Sequence, residues 1–338
     1  MRIALDAMGS DHAPAAEVAG AIQALEVESS SFEVVLVGDE VTVRAELEKY
    51  PEAPLDRIRV HHASEQVTSQ DSPASVHRRK PDSSIAVGLR LQKEREVDAF
   101  VSAGSTGAVM AASLFTLRPL PGVARPPVGT ILPTARDTVL LLDAGANIDC
   151  KPQHLVQFAH LGQIYAQDLL GREEPRVALL NIGEEPGKGD ELTVETHELL
   201  ANQPGLNFVG NVEGRDLIQG VCDVVVCDGF VGNVLLKFYE SVAQFIIGLL
   251  RKEMAVAGDV GNLDLENVFR TLDYAEYGGA PLLGVNGVTI ICHGESEPKA
   301  FRNALAAAAR AVRSRMVEHM TKQLSAATPE PAGTEGAA

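Results

Sequence analysis

Short apolar runs alternate with amphipathic stretches along nearly the whole 338-residue chain. Runs of strand length lie at 2–6, 33–38, 57–61, 97–102, 138–143, 176–181, 206–210 and 223–227, and 282–292 reads as a hairpin. Apolar positions recur at helical spacing over 13–27, 39–49, 82–95, 106–117, 152–170, 190–201, 230–255 and 297–324. This alternation predicts an α/β fold with a three-layer, mostly parallel sheet flanked by helices. Ligands of such sheets sit outside the carboxyl ends of the strands, so the loops that follow the strands are where chemistry is expected. No linker or internal repeat divides the chain, which predicts one large domain over 1–324. The tail, 325–338, is mainly Ala, Pro, Thr, Glu and Gly and is expected to be disordered.

One helical stretch departs from simple amphipathicity. Residues 234–250 are apolar over more than one face and are followed by Arg251 and Lys252. A core helix or a homodimer interface explains this, and so does a helix lying on a membrane with its two cations at the headgroups. The segment 234–275 is therefore read as a dimerisation or membrane-contact element. No apolar run approaches the ~18–20 residues that span a bilayer, so no segment is expected to cross a membrane. The chain opens directly on a strand, without a signal-peptide pattern. The expected compartment is the cytoplasm, with peripheral membrane association at most.

Composition narrows the classes. Apolar residues make up 45% and charged residues 22%, as in globular proteins. The formal net charge of −17 argues against nucleic acid as a partner, because a phosphate backbone needs a basic footprint. An acidic partner would have to dock on a local basic patch. Two exist: Arg78, Arg79 and Lys80, or the last helix with Lys299, Arg302, Arg310, Arg313, Arg315 and Lys322. Cys150, Cys222, Cys227 and Cys292 form no C-x-x-C pair, so neither a zinc knuckle nor a redox motif is supported. No cofactor and no metal are expected.

Five strand ends carry glycine together with polar residues. The run at 176–181 empties into a loop holding Asn181, Gly183, Glu184, Gly187, Lys188 and Gly189. It is nearly a nucleotide P-loop, but three residues instead of four separate Gly183 from Gly187, and Gly189 replaces the magnesium-binding hydroxyl. Such a loop suits phosphate without Mg-nucleotide. After the first strand come Asp6, Asp11 and His12. After 97–102 come Gly104, Ser105, Thr106 and Gly107 at a helix start, where backbone N–H groups and hydroxyls can meet an anion. Asp143 and Asn147 follow 138–143, and Asp228, Gly229, Gly232 and Asn233 follow 223–227. Each alone reads equally well as a turn or N-cap. Together, along one sheet edge, they assemble a polar site.

Six motifs occur in order: Ala-Met-Gly-x-Asp-His-Ala-Pro, Ser-Ala-Gly-x-Thr-Gly-Ala, Leu-Asp-x-Gly-Ala-Asn, Leu-Leu-Asn-Ile-Gly-Glu-Glu, Cys-Asp-Gly-Phe-x-Gly-Asn and Tyr-Gly-Gly-Ala-x-Leu-Leu-Gly. With them the chain resembles, from Met1 to about residue 320, the bacterial acyl-[acyl-carrier-protein]:phosphate acyltransferases of phospholipid synthesis. The resemblance implies a fold akin to phosphotransacetylases and isocitrate dehydrogenases, and a homodimer. It also implies attack of inorganic phosphate on the thioester of acyl carrier protein. The acyl phosphate product would pass to a membrane glycerol-3-phosphate acyltransferase. Ser10 stands where the family usually has Gly, and Ser105 where it usually has Asn.

For that reaction, positioning and charge management matter more than a covalent intermediate. The expected phosphate site lies between Lys188 and the N-terminal amides of the helices after Ser105–Gly107 and Gly229–Asn233. Asn233 or Asn147 donates to the anion, and Asp11, Asn181, Gly183, Glu184 and Asp228 complete the surroundings. The leaving thiol, with a pKa near ~8.5, needs little acid help, which His12 or His293 could supply. Arg78, Arg79 and Lys80 are the expected docking surface for the carrier. A dehydrogenase reading lacks the G-x-G-x-x-G fingerprint. A metal role for Asp143, Asp149 and Asp228 is less economical than turn and cap roles. A non-catalytic lipid- or membrane-binding scaffold using 234–252 would have no need of the polar strand ends.

Overall fold

The computed structural model describes residues 1–27, 32–68, 71–257 and 274–327. The parallel strands predicted from the sequence form two sheets. The first contains β1 (Arg2–Asp6), β2 (Glu33–Gly38), β3 (Ile58–His62), β4 (Ala99–Ser102), β10 (Ala280–Leu282) and β11 (Val288–Ile291), in the order β10-β11-β4-β1-β2-β3. All its neighbours are parallel except β10 and β11, which form the expected hairpin. The second holds β5 (Gly129–Pro133), β6 (Thr138–Leu142), β7 (Val177–Leu180), β8 (Phe208–Val212) and β9 (Val224–Val226), in the order β5-β6-β9-β7-β8. Only β5 runs antiparallel. Single bridges, Val128 to Leu282 and Pro119 to Val285, join the segments that connect the two sheets.

Period-two alternation explains how the sheets share a core. Ile3, Leu5, Leu140, Leu142, Val224 and Val226 all belong to one buried cluster with α1 (Ala15–Val27), α6 (Pro152–Leu170) and α10 (Pro298–Arg313). The intervening residues face outward to separate clusters. Ala4 and Val35 meet α4 (Ser84–Lys93) and α5 (Thr106–Thr116). Leu141 and Val225 pack with Leu217 and Cys222. Helix α1 lies so close to α10 that a Cβ at Gly20 would come within 2.6 Å of the Pro298 carbonyl oxygen. The remaining helices are α2 (Glu40–Leu47), α3 (Pro73–Arg79), α7 (Glu191–Ala201), α8 (Gly214–Leu217), α9 (Gly229–Ala257) and α11 (Met316–Ala327).

Strand β5 and the short helices α3 and α8 are not marked by the periodicity, and two longer stretches also differ from the sequence expectation. The stretch 297–324 is two helices, because Ser314 caps the first and Arg315 takes a left-handed conformation at φ 54. Against the expectation that no segment would do so, Gly229–Lys252 of α9 is long and apolar enough to cross a bilayer by length and composition; Lys237 and Glu240 interrupt its apolar run and hid it in the sequence. Only 6% of its most apolar window is buried, so it is not a core helix. Part of the expected contact segment (258–273) and most of the expected tail (328–338) lie outside the described residues.

Candidate active site

At the carboxyl edge of the first sheet, three loops are tied together by buried polar groups. β1 ends in Asp6, whose Oδ2 accepts the Ser102 hydroxyl at 2.7 Å and whose Oδ1 accepts the Met8 N–H at 3.0 Å. Ser102 Oγ in turn accepts the Gly104 N–H at 3.0 Å. Gly9 is required at this crossing, since a Cβ there would lie 2.7 Å from both Asp6 Oδ2 and the Gly104 nitrogen. Burial holds the Asp6 pKa above the usual carboxylate value, against the hydrogen bonds from Ser84, Ser102 and Met8. The loop after β11 joins through the Asp11 N–H, which donates to the Gly294 carbonyl at 2.8 Å. Asp11 and His12 are exposed at this rim, and the His12 N–H donates to Ser10 Oγ at 3.2 Å.

Beneath the same rim, Glu17 is fully buried and its Oε1 accepts the Ser10 N–H at 2.9 Å. Burial, with a lesser contribution from the Asp6 charge, pushes this carboxyl up to about 7 from an ordinary 4.5. The folded state therefore holds a proton that the unfolded chain has released. The resulting stability is fully present below 4.5 and is lost as pH rises through about 7. The difference corresponds to on the order of 3 kcal/mol. Wild-type thermal stability is expected to fall by several degrees between pH 5 and pH 8, and the slope should be much flatter in Glu17→Gln. Thermal melts across that range check it; parallel curves for the two proteins would refute it.

The second sheet contributes a carboxylate hub. Asp143, buried after β6 and joined to Leu142 by a cis peptide, accepts the N–H groups of Val128, Gly145 and Ala146 on Oδ1 at 3.0–3.1 Å. Its Oδ2 accepts the Asn147 N–H at 2.7 Å and Asn147 Nδ2 at 2.8 Å. Burial raises the Asp143 pKa, and these donors work in the opposite direction. The loop so formed rests on the first turn of α9. The Gly229 N–H donates to the Asn147 carbonyl at 2.8 Å, and a Cβ on Gly232 would overlap the Asp143 carbonyl oxygen.

These contacts sort the two helix starts that the sequence offered to an anion. At α9, Asp228 Oδ1 already accepts the Phe230 and Val231 N–H groups at 2.8 and 3.1 Å, and the Gly229 N–H is taken by Asn147. Asn147 Nδ2 is likewise committed, to Asp143 and to the Pro126 carbonyl at 3.1 Å. At α5, by contrast, Ser105 makes no side-chain capping bond. Its N-terminal amides are the better anion donors.

Thr106 of α5 opens onto a cleft of about 270 Å³ between the sheets, which also receives Gly145, Asn233, Lys237, Glu240 and His293. Val128, Ile131, Leu236 and Ile291 line it with hydrocarbon. Lys237 and Glu240 form an ion pair at 2.8 Å. Thus the structure brings together Thr106, Asn233 and His293 of the expected residues. Asp11 and His12 stand on the loop against Gly294, beside His293. Gly104 is under the rim, and Gly107 packs against Pro73, 3.2 Å from where its Cβ would stand.

Other expected residues lie elsewhere. Asn181 and Asp228 line a second cleft, of about 340 Å³, at the carboxyl ends of β7 and β9. The Asn181 amide donates to the Lys188 carbonyl at 2.9 Å, and the Gly183 backbone packs against the Lys188 side chain. Lys188 and Glu184 are exposed on this loop, and neither lines the Asn233 cleft. Sequence reasoning missed Lys237, Glu240 and Tyr277, all of which line that cleft. The signal for the first two was present: 233, 237 and 240 follow helical spacing on one face of α9. Arg78 and Arg79 are exposed at the end of α3, while Lys80 Nζ is held by Asp71 at 2.7 Å and by the Gln66 carbonyl at 2.8 Å. The Lys80 ammonium keeps the Asp71 carboxyl down at about 2. Among the described residues, no group of three or more His, Cys, Asp or Glu side chains is placed to hold a metal ion.

A family model described as "Fatty acid synthesis protein" matches residues 1–319. A protein of Desulforamulus reducens named "Phosphate acyltransferase" is 48% identical over 329 residues, covering 96% of this chain and 97% of its own. One of Geobacter sulfurreducens with the same name is 48% identical over 336 residues, covering 96% of each. Among solved structures, a phosphotransacetylase from Streptococcus pyogenes superposes with a TM-score of 0.63 at 17% identity, covering 93% of this chain and 94% of its own. The EutD phosphotransacetylase from Staphylococcus aureus gives 0.60 at 18% identity, covering 92% and 94%. These two likenesses carry the fold, in agreement with the phosphotransacetylase-like architecture expected from the sequence.

Proposed function

Because the chain belongs to the phosphate acyltransferase family, we propose that it transfers a fatty acyl group from the thioester of acyl carrier protein to inorganic phosphate. A phosphate oxygen attacks the thioester carbonyl carbon, the C–S bond breaks, and the products are an acyl phosphate and the carrier thiol. The observation that carries this reading is the meeting of Thr106, Asn233, Lys237 and His293 in one hydrocarbon-backed cleft between the sheets. Phosphate is held on the uncapped start of α5, with Asn233 donating to it and Lys237 balancing its charge. Arrival of the anion competes with Glu240 for the lysine. His293 is the nearer histidine for protonating the departing sulfur, and His12 remains at the rim. Lys188, on its glycine-rich loop, is the alternative cation.

Docking of the acidic carrier is placed on Arg78 and Arg79. Helix α3 that bears them is stacked on α5 through His77 and Phe115, whose ring centroids are 3.8 Å apart. That puts the basic patch beside the helix that opens the cleft. Reversal of both charges (Arg78→Glu with Arg79→Glu) should raise KM for the acylated carrier about tenfold and leave kcat within twofold. An unchanged KM would move docking to the last helices. The exposed apolar side of α9, with Phe238, Val242, Phe245 and Leu249, supports a homodimer contact and peripheral attachment to the membrane where the next acyltransferase works. The cytoplasm is the compartment that fits this supply of carrier and phosphate.

The test is release of free thiol from a long-chain acyl carrier thioester without nucleotide or added metal, with the product trapped by hydroxylamine. Thiol release that saturates with phosphate, matched by hydroxamate, is the expected result. No release from the folded protein would overturn the proposal.

A further inference from the structure

The second cleft has a composition that the phosphate site does not use. Its hydrocarbon comes from Leu155, Leu180, Ile182, Leu192 and Val231. Its polar residues are already engaged with one another or with backbone. Asn181 Nδ2 donates to the Lys188 carbonyl and its Oδ1 accepts the Ile182 N–H at 2.8 Å. Asp190 Oδ1 accepts both the N–H and the hydroxyl of Thr193 at 2.9 Å. Asp228 caps α9, and the Cys227 thiol donates to the Asp143 carbonyl. A polar ligand would find few open partners here, whereas an alkyl chain needs none. The volume of about 340 Å³ lies within the usual range of small-molecule pockets.

The surface leading to this cleft is also apolar. Ile182 is 81% exposed at its mouth, and Val231 is 42% exposed on the α9 turn that forms one wall. Next to Val231, Phe230 is 64% exposed. Ile148, 72% exposed, follows Asn147, whose carbonyl holds the start of α9. These side chains form a strip over the first turn of α9, the same turn that delivers Asn233 to the phosphate cleft two residues later. Hydrocarbon that borders both the reacting centre and a cleft with few open polar groups fits an extended alkyl chain whose head lies at Asn233.

We infer that the cleft between Leu155, Leu180, Leu192 and Val231 holds the distal part of the fatty acyl chain, reached over Ile148 and Phe230, and that it sets chain-length preference. The inference rests on the acyl-transfer reading above. No bond changes at this site: it binds hydrocarbon by burial alone.

Two full-length variants test it. Val231→Trp fills the cleft from a half-exposed position, and Ile182→Glu places a charge at its mouth on a side chain the core does not use. Each is expected to lower kcat/KM for a hexadecanoyl carrier thioester at least tenfold while that for the butanoyl thioester stays within twofold. Equal loss at both lengths, or no change at either, overturns the inference. So does an unchanged length ratio accompanied by a shift in oligomeric state by light scattering, which would assign the strip to a second copy of this chain. Calorimetric binding of hexadecanoate needs no turnover and separates the two readings. Weaker binding by both variants, with no thiol release from wild type, would uphold the hydrocarbon site and sink the acyl-transfer proposal. No hexadecanoate binding by wild type would overturn the site itself.

Discussion

Gly232→Ala should reduce phosphate-dependent thiol release by at least a hundredfold. In the first turn of α9 there is no room for a methyl group, because it would occupy the position of the Asp143 carbonyl oxygen and crowd Cys227 Sγ at 3.0 Å. The obstruction is backbone, held by a carboxylate that accepts five N–H bonds, so it cannot swing aside as a flexible side chain would. Relief requires α9 to lift from the 143–147 loop. Overpacking of this kind costs about 1–3 kcal/mol in stability. The cost to catalysis is larger, because Asn233 is the next residue and a displacement of about 1 Å at a reacting centre costs on the order of 10²-fold. Steady-state turnover beside a thermal melt checks both. A folded Gly232→Ala protein with near-normal turnover would mean that the position of α9 relative to the Asp143 loop is irrelevant to the reaction.

Lys237→Ala should lower kcat/KM for phosphate by about 10²–10³-fold, the loss typical when one charged or hydrogen-bonding stabiliser of a developing anion is removed. Lys237 lines the cleft with Asn233 and His293, whereas Lys188 sits on the loop beside the second cleft. The same measurement on Lys188→Ala decides which cation serves the anion. A large loss there with a small one for Lys237→Ala would return the role to Lys188. Glu240 supplies an independent check. It holds Lys237 at 2.8 Å, and in the proposed site it would compete with incoming phosphate for that lysine, so Glu240→Gln should lower KM for phosphate severalfold. Phosphate saturation curves for the three variants, measured at one carrier concentration, give all three outcomes.

The strand ends and the polar residues that organise their loops were legible in the sequence because strand-length runs and glycine-polar loops leave a local pattern. Asp6, Ser102, Asp143 and Asp228 occur where a run of buried residues stops, and the structure uses each as a loop organiser. What local pattern could not carry was the partition of the strands into two sheets. β9 inserts between β6 and β7, which directs the Asn181 and Lys188 loop to one side of α9 and the Thr106 loop to the other. Nothing within the segment 176–190 encodes that separation. β5 was missed for a different reason: Gly129 and Pro133 bound a short run beside several prolines, a composition that reads as loop. Whether a helix start can receive an anion also escaped the sequence. Asp228 and Ser105 both stand before helices, and only the structure distinguishes the one that caps from the one that does not.

The first sheet is completed by strands from opposite ends of the chain. β11 pairs with β4 through Val288–Ile291 and Ala99–Ser102, so a central seam waits for residues made 189 positions after Ser102. On a ribosome adding ~5–20 residues per second, that interval is roughly 10–40 s. During it the growing polypeptide carries an unpaired parallel edge of Ala99, Phe100 and Val101, all fully buried in the finished fold. Nascent chains of this enzyme should therefore engage a holdase during synthesis, and transcripts that stop short of residue 288 should yield insoluble product even though every residue of the Asp143 hub has already been made.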